Sequence, residues 1–221
     1  MAVLRLAGMP IGNPEDVTLR VLRAIREADI VCVEDTGVAS RLFKKWEIPF
    51  PREKIRIVNE HTTEQELSEL IPEIKAARSA VLCSDAGMPV FCDPGLDVMR
   101  LCEAAGISIE VLPGANALVT AIVRAGLGGP FYFAGFPPRK TEERGPFFKK
   151  MDKMPGFVVF YETPYRLGKL LGDIHNNFQP AKKVFICVNL TEPEEVFIQS
   201  SVQNVKNLQI PPGPPVVIVG N

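Results

Sequence analysis

Residues 80–112 read AVLCSDAGMPVFCDPGLDVMRLCEAAGISIEVL. Ala80 to Cys83 is a short apolar run of strand character. A long loop follows, with two aspartates, two glycines and two prolines. Leu96 to Ala105 is then amphipathic and stopped by Gly106, and Ser108 to Leu112 is apolar again. Strand, loop, helix, strand is one βαβ unit, and a βαβ unit makes parallel neighbours with the helix laid across a sheet face.

The same rhythm extends in both directions. Upstream, Val3 to Ala7 reads as a strand and Glu15 to Glu27 as a helix. Ile30 to Val33 is a strand, Val38 to Lys45 a helix and Ile55 to Val58 a short apolar run. Thr62 or Thr63 can cap a helix running to about Ala77, with Glu66 at capping-box spacing from Thr63. Downstream, Asn116 to Arg124 reads as a helix. Strict alternation implies an α/β domain, a largely parallel sheet with helices on both faces, whose ligands bind at the carboxyl ends of strands. Gly126-Leu-Gly-Gly-Pro130 is the best linker, giving domains 1–126 and 131–221. Beyond it, Phe131–Ala134 and Phe157–Tyr161 are strands around a charged helix from about Thr141 to Lys150. A helix near Tyr165–Asn176 precedes strands Lys183–Val188, Val196–Ser200 and Pro215–Val219. Strands with so little helix among them predict an α+β domain with a mixed sheet containing antiparallel pairs.

At 46% apolar and 23% charged the chain can bury a sizeable core, and its net charge of −1 argues against open-ended nucleic-acid binding by phosphate neutralisation alone. Five cysteines without a C-x-x-C pair, and two histidines, support neither a disulfide framework nor a metal site. No membrane span or signal peptide is expected, and a reducing cytoplasm is the simplest location.

Five loops past strand ends hold the candidate chemistry. Gly8-Met-Pro-Ile-Gly-Asn13 lets backbone approach a ligand, yet it is neither a Walker loop nor G-x-G-x-x-G. In the 84–95 loop, Asp93 with Pro94 reads as a helix cap, whereas Ser84 and Asp85 are free to bond a ribose or an amino-acid group. Pro113-Gly-Ala-Asn-Ala117 leaves room for a flat ring. Phe160-Tyr-Glu-Thr-Pro-Tyr-Arg166 places Glu162 between aromatics, with Thr163 as a cap, and Val188-Asn-Leu-Thr-Glu192 follows another strand.

Together these loops resemble the tetrapyrrole methylase superfamily, which uses S-adenosylmethionine. Within it the chain is most similar to the bacterial 16S ribosomal RNA cytidine 2′-O-ribose methyltransferase branch. The resemblance is carried by Met9-Pro-Ile-Gly-Asn-Pro-Glu-Asp16 with Thr18-Leu-Arg20, Val33-Glu-Asp-Thr36, Ser84-Asp-Ala-Gly-Met-Pro89 with Asp93-Pro-Gly95, and Pro113-Gly114 with Ala117. Gly135-Phe-Pro-Pro-Arg-Lys140 and Phe160-Tyr-Glu-Thr-Pro-Tyr-Arg166 continue it in the second half. It implies a two-domain tetrapyrrole-methylase-like fold, a homodimer, and a methyl donor held in the cleft between domains without a metal. By position, Pro10, Ser84, Asp85, Ala86, Asn116 and Ala117 would line the donor site. Tyr161, Glu162, Asn189, Leu190, Pro215 and Val216 would close it. The sequence departs from the branch at Gly37, where arginine is usual, and at Cys187-Val-Asn-Leu-Thr-Glu192, where Ala-Arg-Glu-Leu-Thr-Lys is usual.

Methyl transfer from a sulfonium needs alignment, exclusion of water and, for a hydroxyl acceptor, a general base. Glu34 and Asp35 are preferred for that role, with Glu162 as a third candidate. Glu34 equally reads as a partner for Arg41 or a backbone amide. His61 reads as a surface residue and His175 as a helix-end residue. Arg139, Lys140, Arg144, Lys149, Lys150 and Lys153 form a basic run, read either as a phosphate contact or as a solvated helix face. The expected acceptor is the ribose of a cytidine in 16S ribosomal RNA or the small subunit. A small molecule such as a tetrapyrrole precursor is the alternative, as is a non-catalytic relative that binds the donor or RNA.

Overall fold

The computed structural model describes residues 2–50 and 52–220. It divides into two compact units, Met1–Asn116 and Ala117–Asn221. In the first unit, strands β1 (Val3–Ala7), β2 (Ile30–Val33), β3 (Ile55–Ile57), β4 (Ser79–Cys83) and β5 (Ser108–Leu112) form one sheet in the order β3-β2-β4-β1-β5. Every pairing is parallel. Helices α1 (Leu19–Glu27), α2 (Thr36–Lys45), α3 (Glu64–Ala76) and α4 (Leu96–Ala104) make the crossovers.

The strands are apolar on both faces because helices cover both. Ala7, Val31, Val33, Val81 and Cys83 share a core with Val21, Ala24, Ile25, Ala39 and Phe43 of α1 and α2. Their neighbours in sequence, Leu4, Leu6, Ile30, Cys32, Ala80 and Leu82, share the opposite core with α3 and α4. That is the period-2 alternation of a pleated strand, with each face buried against its own helix pair.

Several boundaries differ from the sequence reading. The first helix starts at Leu19 rather than Glu15. Asn13 accepts from the Glu15 N–H and starts a 3-10 turn over Pro14–Asp16, then Val17 turns extended and Thr18 caps α1 through Val21 N–H. Asp93 is not the cap of α4, which starts behind Gly95. Its Oδ1 instead accepts from Val90 N–H at 3.3 Å and Gly95 N–H at 2.8 Å, tying the loop to itself. The Thr63–Glu66 capping box on α3 is present in full.

In the second unit, β6 (Phe131–Gly135), β7 (Phe157–Tyr161), β8 (Lys183–Val188), β9 (Val196–Ser201) and β10 (Pro215–Gly220) form a sheet in the order β6-β7-β10-β8-β9. Only β6 and β7 pair in parallel; the other three pairings are antiparallel. Helices α6 (Thr141–Asp152) and α7 (Leu167–Asn177) cover one face through Phe148, Met151, Leu170 and Ile174. Helix α5 (Ala117–Arg124) belongs to this unit: it packs on β10, and Leu118 N–H donates to the Tyr161 hydroxyl at 2.8 Å. The 126–130 stretch is thus a turn inside the unit, and the chain's division falls at 116/117. Among the described residues no helix is long and apolar enough to cross a membrane.

Candidate functional site

Strand register dictates where the first unit gathers its loops. Ala7 stands opposite both Cys83 and Leu112, and Val33 opposite Cys83. The residues that follow, Gly8, Glu34, Ser84 and Pro113, therefore leave the sheet in one row at its carboxyl edge. Backbone bonds then lock the loops together. Gly8 N–H donates to Leu112 O at 3.0 Å. Met9 and Gly87 exchange bonds of 2.8 and 3.2 Å. A Cβ on Gly8 would lie 2.6 Å from Gly114 Cα, and one on Gly114 would lie 2.6 Å from Gly8 O. Two backbones in direct contact need glycine at both positions. The Pro10, Asp85 and Asn116 turns thus share one rim.

Carboxylates crowd this rim. Asp35 accepts from Gly37 N–H at 2.6 Å and Val38 N–H at 2.9 Å, so it caps α2. Its own N–H donates to Asp85 Oδ1 at 3.1 Å, while Asp85 N–H donates to Glu34 Oε2 at 3.3 Å. Glu34 therefore takes the backbone-amide partner rather than Arg41. Desolvation raises the carboxyl pKa of both Glu34 and Asp85, and the negative neighbours Asp35 and Asp93 raise Asp85 further. Ser84 is buried, and its hydroxyl donates to Ala86 O at 3.0 Å, leaving oxygen lone pairs to accept. Val90 and Cys92, in the same loop, hold left-handed φ values of 72° and 63°. For a β-branched residue that is strained backbone, of the kind found at binding loops.

The second unit gathers its candidates at one sheet edge as well. Val216 stands opposite Tyr161 on one side and Cys187 on the other, and Pro215 opposite Val188. This aligns Tyr161 and Glu162 after β7, Asn189 and Leu190 after β8, and Pro215 and Val216 at the start of β10. Tyr161 is held by the Leu118 amide and by edge contacts to Phe133 and Phe136. Asn189 takes φ 54°, donates to Pro212 O and leaves no room for a side chain at Gly213, whose Cβ would meet its Oδ1 at 1.9 Å. Leu190, Pro215 and Val216 are buried. The Glu162 carboxylate is fully buried: Oε1 accepts from Thr163 N–H at 2.9 Å, and Oε2 lies 3.4 Å from Arg166 Nη2 without hydrogen-bond alignment. Thr163 precedes the 3-10 turn as expected, yet its hydroxyl makes no cap.

Sequence reasoning missed three participants. Arg144 is not on a solvated face but 1% exposed, with Nε on Asp173 at 2.6 Å and Nη1 on Pro138 O at 2.6 Å. Arg166 donates to Pro137 O and Pro138 O. The Gly8–Gly114 contact joins residues far apart in sequence, signalled only by a glycine after each strand. His61 is exposed as expected, whereas His175 Nδ1 meets Val202 O at 3.1 Å.

The family model for tetrapyrrole (corrin/porphyrin) methylases matches residues 3–206. The Ribosomal RNA small subunit methyltransferase I of Thermotoga maritima is 35% identical over 203 residues, covering 91% of this chain and 89% of its own. Its namesake from Bacillus subtilis is 31% identical over 213 residues, covering 93% and 69%. Among solved structures, a diphthine synthase matches with TM-score 0.74 at 16% identity over 99% of this chain and 90% of its own. A Thermus thermophilus uroporphyrin-III C-methyltransferase complexed with S-adenyl homocysteine matches with TM-score 0.69 at 19% identity over 100% and 98%. At such identities the two structures speak for the fold alone.

Proposed function

The chain belongs to the tetrapyrrole (corrin/porphyrin) methylase family, and from that membership we propose that it is an S-adenosylmethionine-dependent methyltransferase acting on 16S ribosomal RNA, at the 2′-hydroxyl of a cytidine. The RNA acceptor rests on the similarity to ribosomal RNA small subunit methyltransferases over nine-tenths of the chain. The observation that carries the donor assignment is the rim of the first unit. Two glycine backbones in contact tie the loops together, a buried serine hydroxyl offers an acceptor, and desolvated carboxylates stand nearby. That rim fits a nucleoside bearing positive charge, because a cation relieves carboxylates whose ionised state burial disfavours.

When bound, S-adenosylmethionine supplies an already activated methyl group. The chain's own contribution is to bind, orient and exclude water. Pro10, Ser84, Asp85, Ala86, Asn116 and Ala117 hold the donor in this reading, with Asp85 accepting hydrogen bonds from it. Tyr161, Glu162, Asn189, Leu190, Pro215 and Val216 are proposed to contribute on family membership. Glu34 is the proposed base. Asp35 is occupied in capping a helix and Glu162 is fully buried beside the Arg166 cation, whereas Glu34 is half-buried, with one carboxylate oxygen free and a raised pKa suited to taking a proton. The same membership supports a homodimer working in the cytoplasm, with no metal required.

Calorimetric titration with S-adenosylmethionine tests the donor reading; folded protein that binds none at millimolar ligand overturns it. Methyl incorporation into small subunits from a strain lacking this gene tests the acceptor. Transfer to the subunit is expected, and transfer to a small-molecule acceptor instead would replace the RNA reading.

A further inference from the structure

The turn between β6 and α6 is Gly135-Phe-Pro-Pro-Arg-Lys140. Pro137 and Pro138 have no N–H to give, so their turn can be anchored only through carbonyls and ring packing. Two arginines do this. Arg144 Nη1 donates to Pro138 O at 2.6 Å, and Arg166 Nη2 donates to Pro137 O at 3.1 Å and Pro138 O at 3.4 Å. Each arginine has its own carboxylate: Asp173 at 2.6 Å for Arg144, buried Glu162 at 3.4 Å for Arg166. One guanidinium nitrogen, Arg144 Nη2, is left buried and unbonded. Sequestering a guanidinium with an orphan nitrogen is costly. The result is a short turn held from α6 and from the 3-10 turn that precedes α7.

What that turn displays is solvent-facing. Phe136 is 47% exposed, with its ring 5.8 Å from Tyr161 at 65°. Arg139 and Lys140 are exposed, and Lys140 lies 3.6 Å from Glu143 at the surface. An exposed aromatic beside two cations is what an unpaired nucleotide recognises: the ring stacks on a base and the cations take flanking phosphates. We propose that the Phe136–Lys140 turn is the acceptor-recognition element, gripping single-stranded RNA next to the methylated nucleotide, and that Arg144 and Arg166 are positioning residues that hold it rigid. This rests on the RNA reading above. It also locates affinity for a polyanion in a chain whose net charge is −1.

The test is steady-state methyl transfer to small subunits lacking the modification, with donor affinity measured separately by calorimetry. Arg139→Ala with Lys140→Ala is expected to raise KM for the subunit at least tenfold while kcat and donor affinity hold. It should also flatten the dependence of log KM on log salt by about 1.4, the share of two single-strand phosphate contacts. Phe136→Ala is expected to raise KM about 5- to 150-fold, and Phe136→Trp to restore it. Arg166→Lys, which keeps charge but cannot reach both carbonyls as a fork, should raise KM with the protein still folded. Unchanged KM in the surface variants, with wild-type protein active on RNA, overturns the turn assignment and leaves the RNA reading standing. Donor binding without transfer of methyl to any RNA overturns both. Equal loss of donor affinity in the Phe136 variants would make the ring part of the donor site and overturn the proposal.

Discussion

At the scale of single residues, the rim sets three carboxylates side by side and gives each a different task. Asp35 bonds two amides at the start of α2. Asp85 and Glu34 are only partly satisfied, and burial raises both pKa values. A carboxyl raised in the folded state contributes stability below the ordinary carboxylate range and loses it as pH climbs through the raised value. At neutral pH these two groups therefore oppose folding of the donor-free protein. Asp85→Asn should unfold at higher urea than the wild type at pH 7, with the gain shrinking to nothing near pH 3; a gain that persists at pH 3 would refute the electrostatic account. The same substitution should weaken S-adenosylmethionine about tenfold or more, because a charged acceptor is replaced by a neutral one. Glu34→Gln, in contrast, should slow transfer while calorimetry shows donor affinity largely kept. Which of the neighbours 34 and 35 is cap and which is free was not legible in the sequence. It depends on where α2 begins, a matter of one residue, and both are acidic.

At the scale of elements, what could be read from sequence was whatever is written locally. Apolar runs such as Ile30–Val33 and Ala80–Cys83 became strands, and the capping box at Thr63 started its helix. What could not be read depends on partners distant in the chain. Arg144 sits among Arg139, Lys149 and Lys150 and looks like one more surface cation. Only the docking of α6 on α7, which brings Asp173 against it, turns it inward. Asp173→Ala should therefore cost about 3–5 kcal/mol, since it strands a buried guanidinium; Arg144→Met, removing the charge itself, should cost less. Denaturant unfolding distinguishes them, and equal losses would mean that packing rather than charge is at stake. The Gly8–Gly114 contact is equally invisible, because each glycine looks like an ordinary turn residue. Gly114→Ala forces a Cβ to 2.6 Å from a carbonyl oxygen and should cost about 1–3 kcal/mol, with donor affinity falling as the two loops part.

At the scale of the whole molecule, the two units have cores of their own. One core lies on the mixed sheet, and two lie on the faces of the parallel one. The rim loops lie at the margin of the parallel sheet's cores, with Met9 inside one and Val90 packed against the other. Their positive-φ residues Val90 and Cys92 and the half-buried stretch around them mark backbone that opens locally more easily than the strands beneath. A ligand that binds only the ordered rim must suppress that opening, and the amount follows from mass action: about 2.7 kcal/mol when free donor is a hundred times its dissociation constant. Hydrogen exchange should then show residues 84–95 and the loop after β1 slowing on addition of S-adenosylmethionine, by up to about a hundredfold at that concentration. The effect should weaken as pH falls through the raised Asp85 pKa, because protonated Asp85 no longer attracts a cation. It should also be much reduced in Asp85→Asn. Slowing confined to Ala117–Asn221, or equal at both ends of the pH range, would mean that the donor is held elsewhere and that the crowded carboxylates serve only the fold.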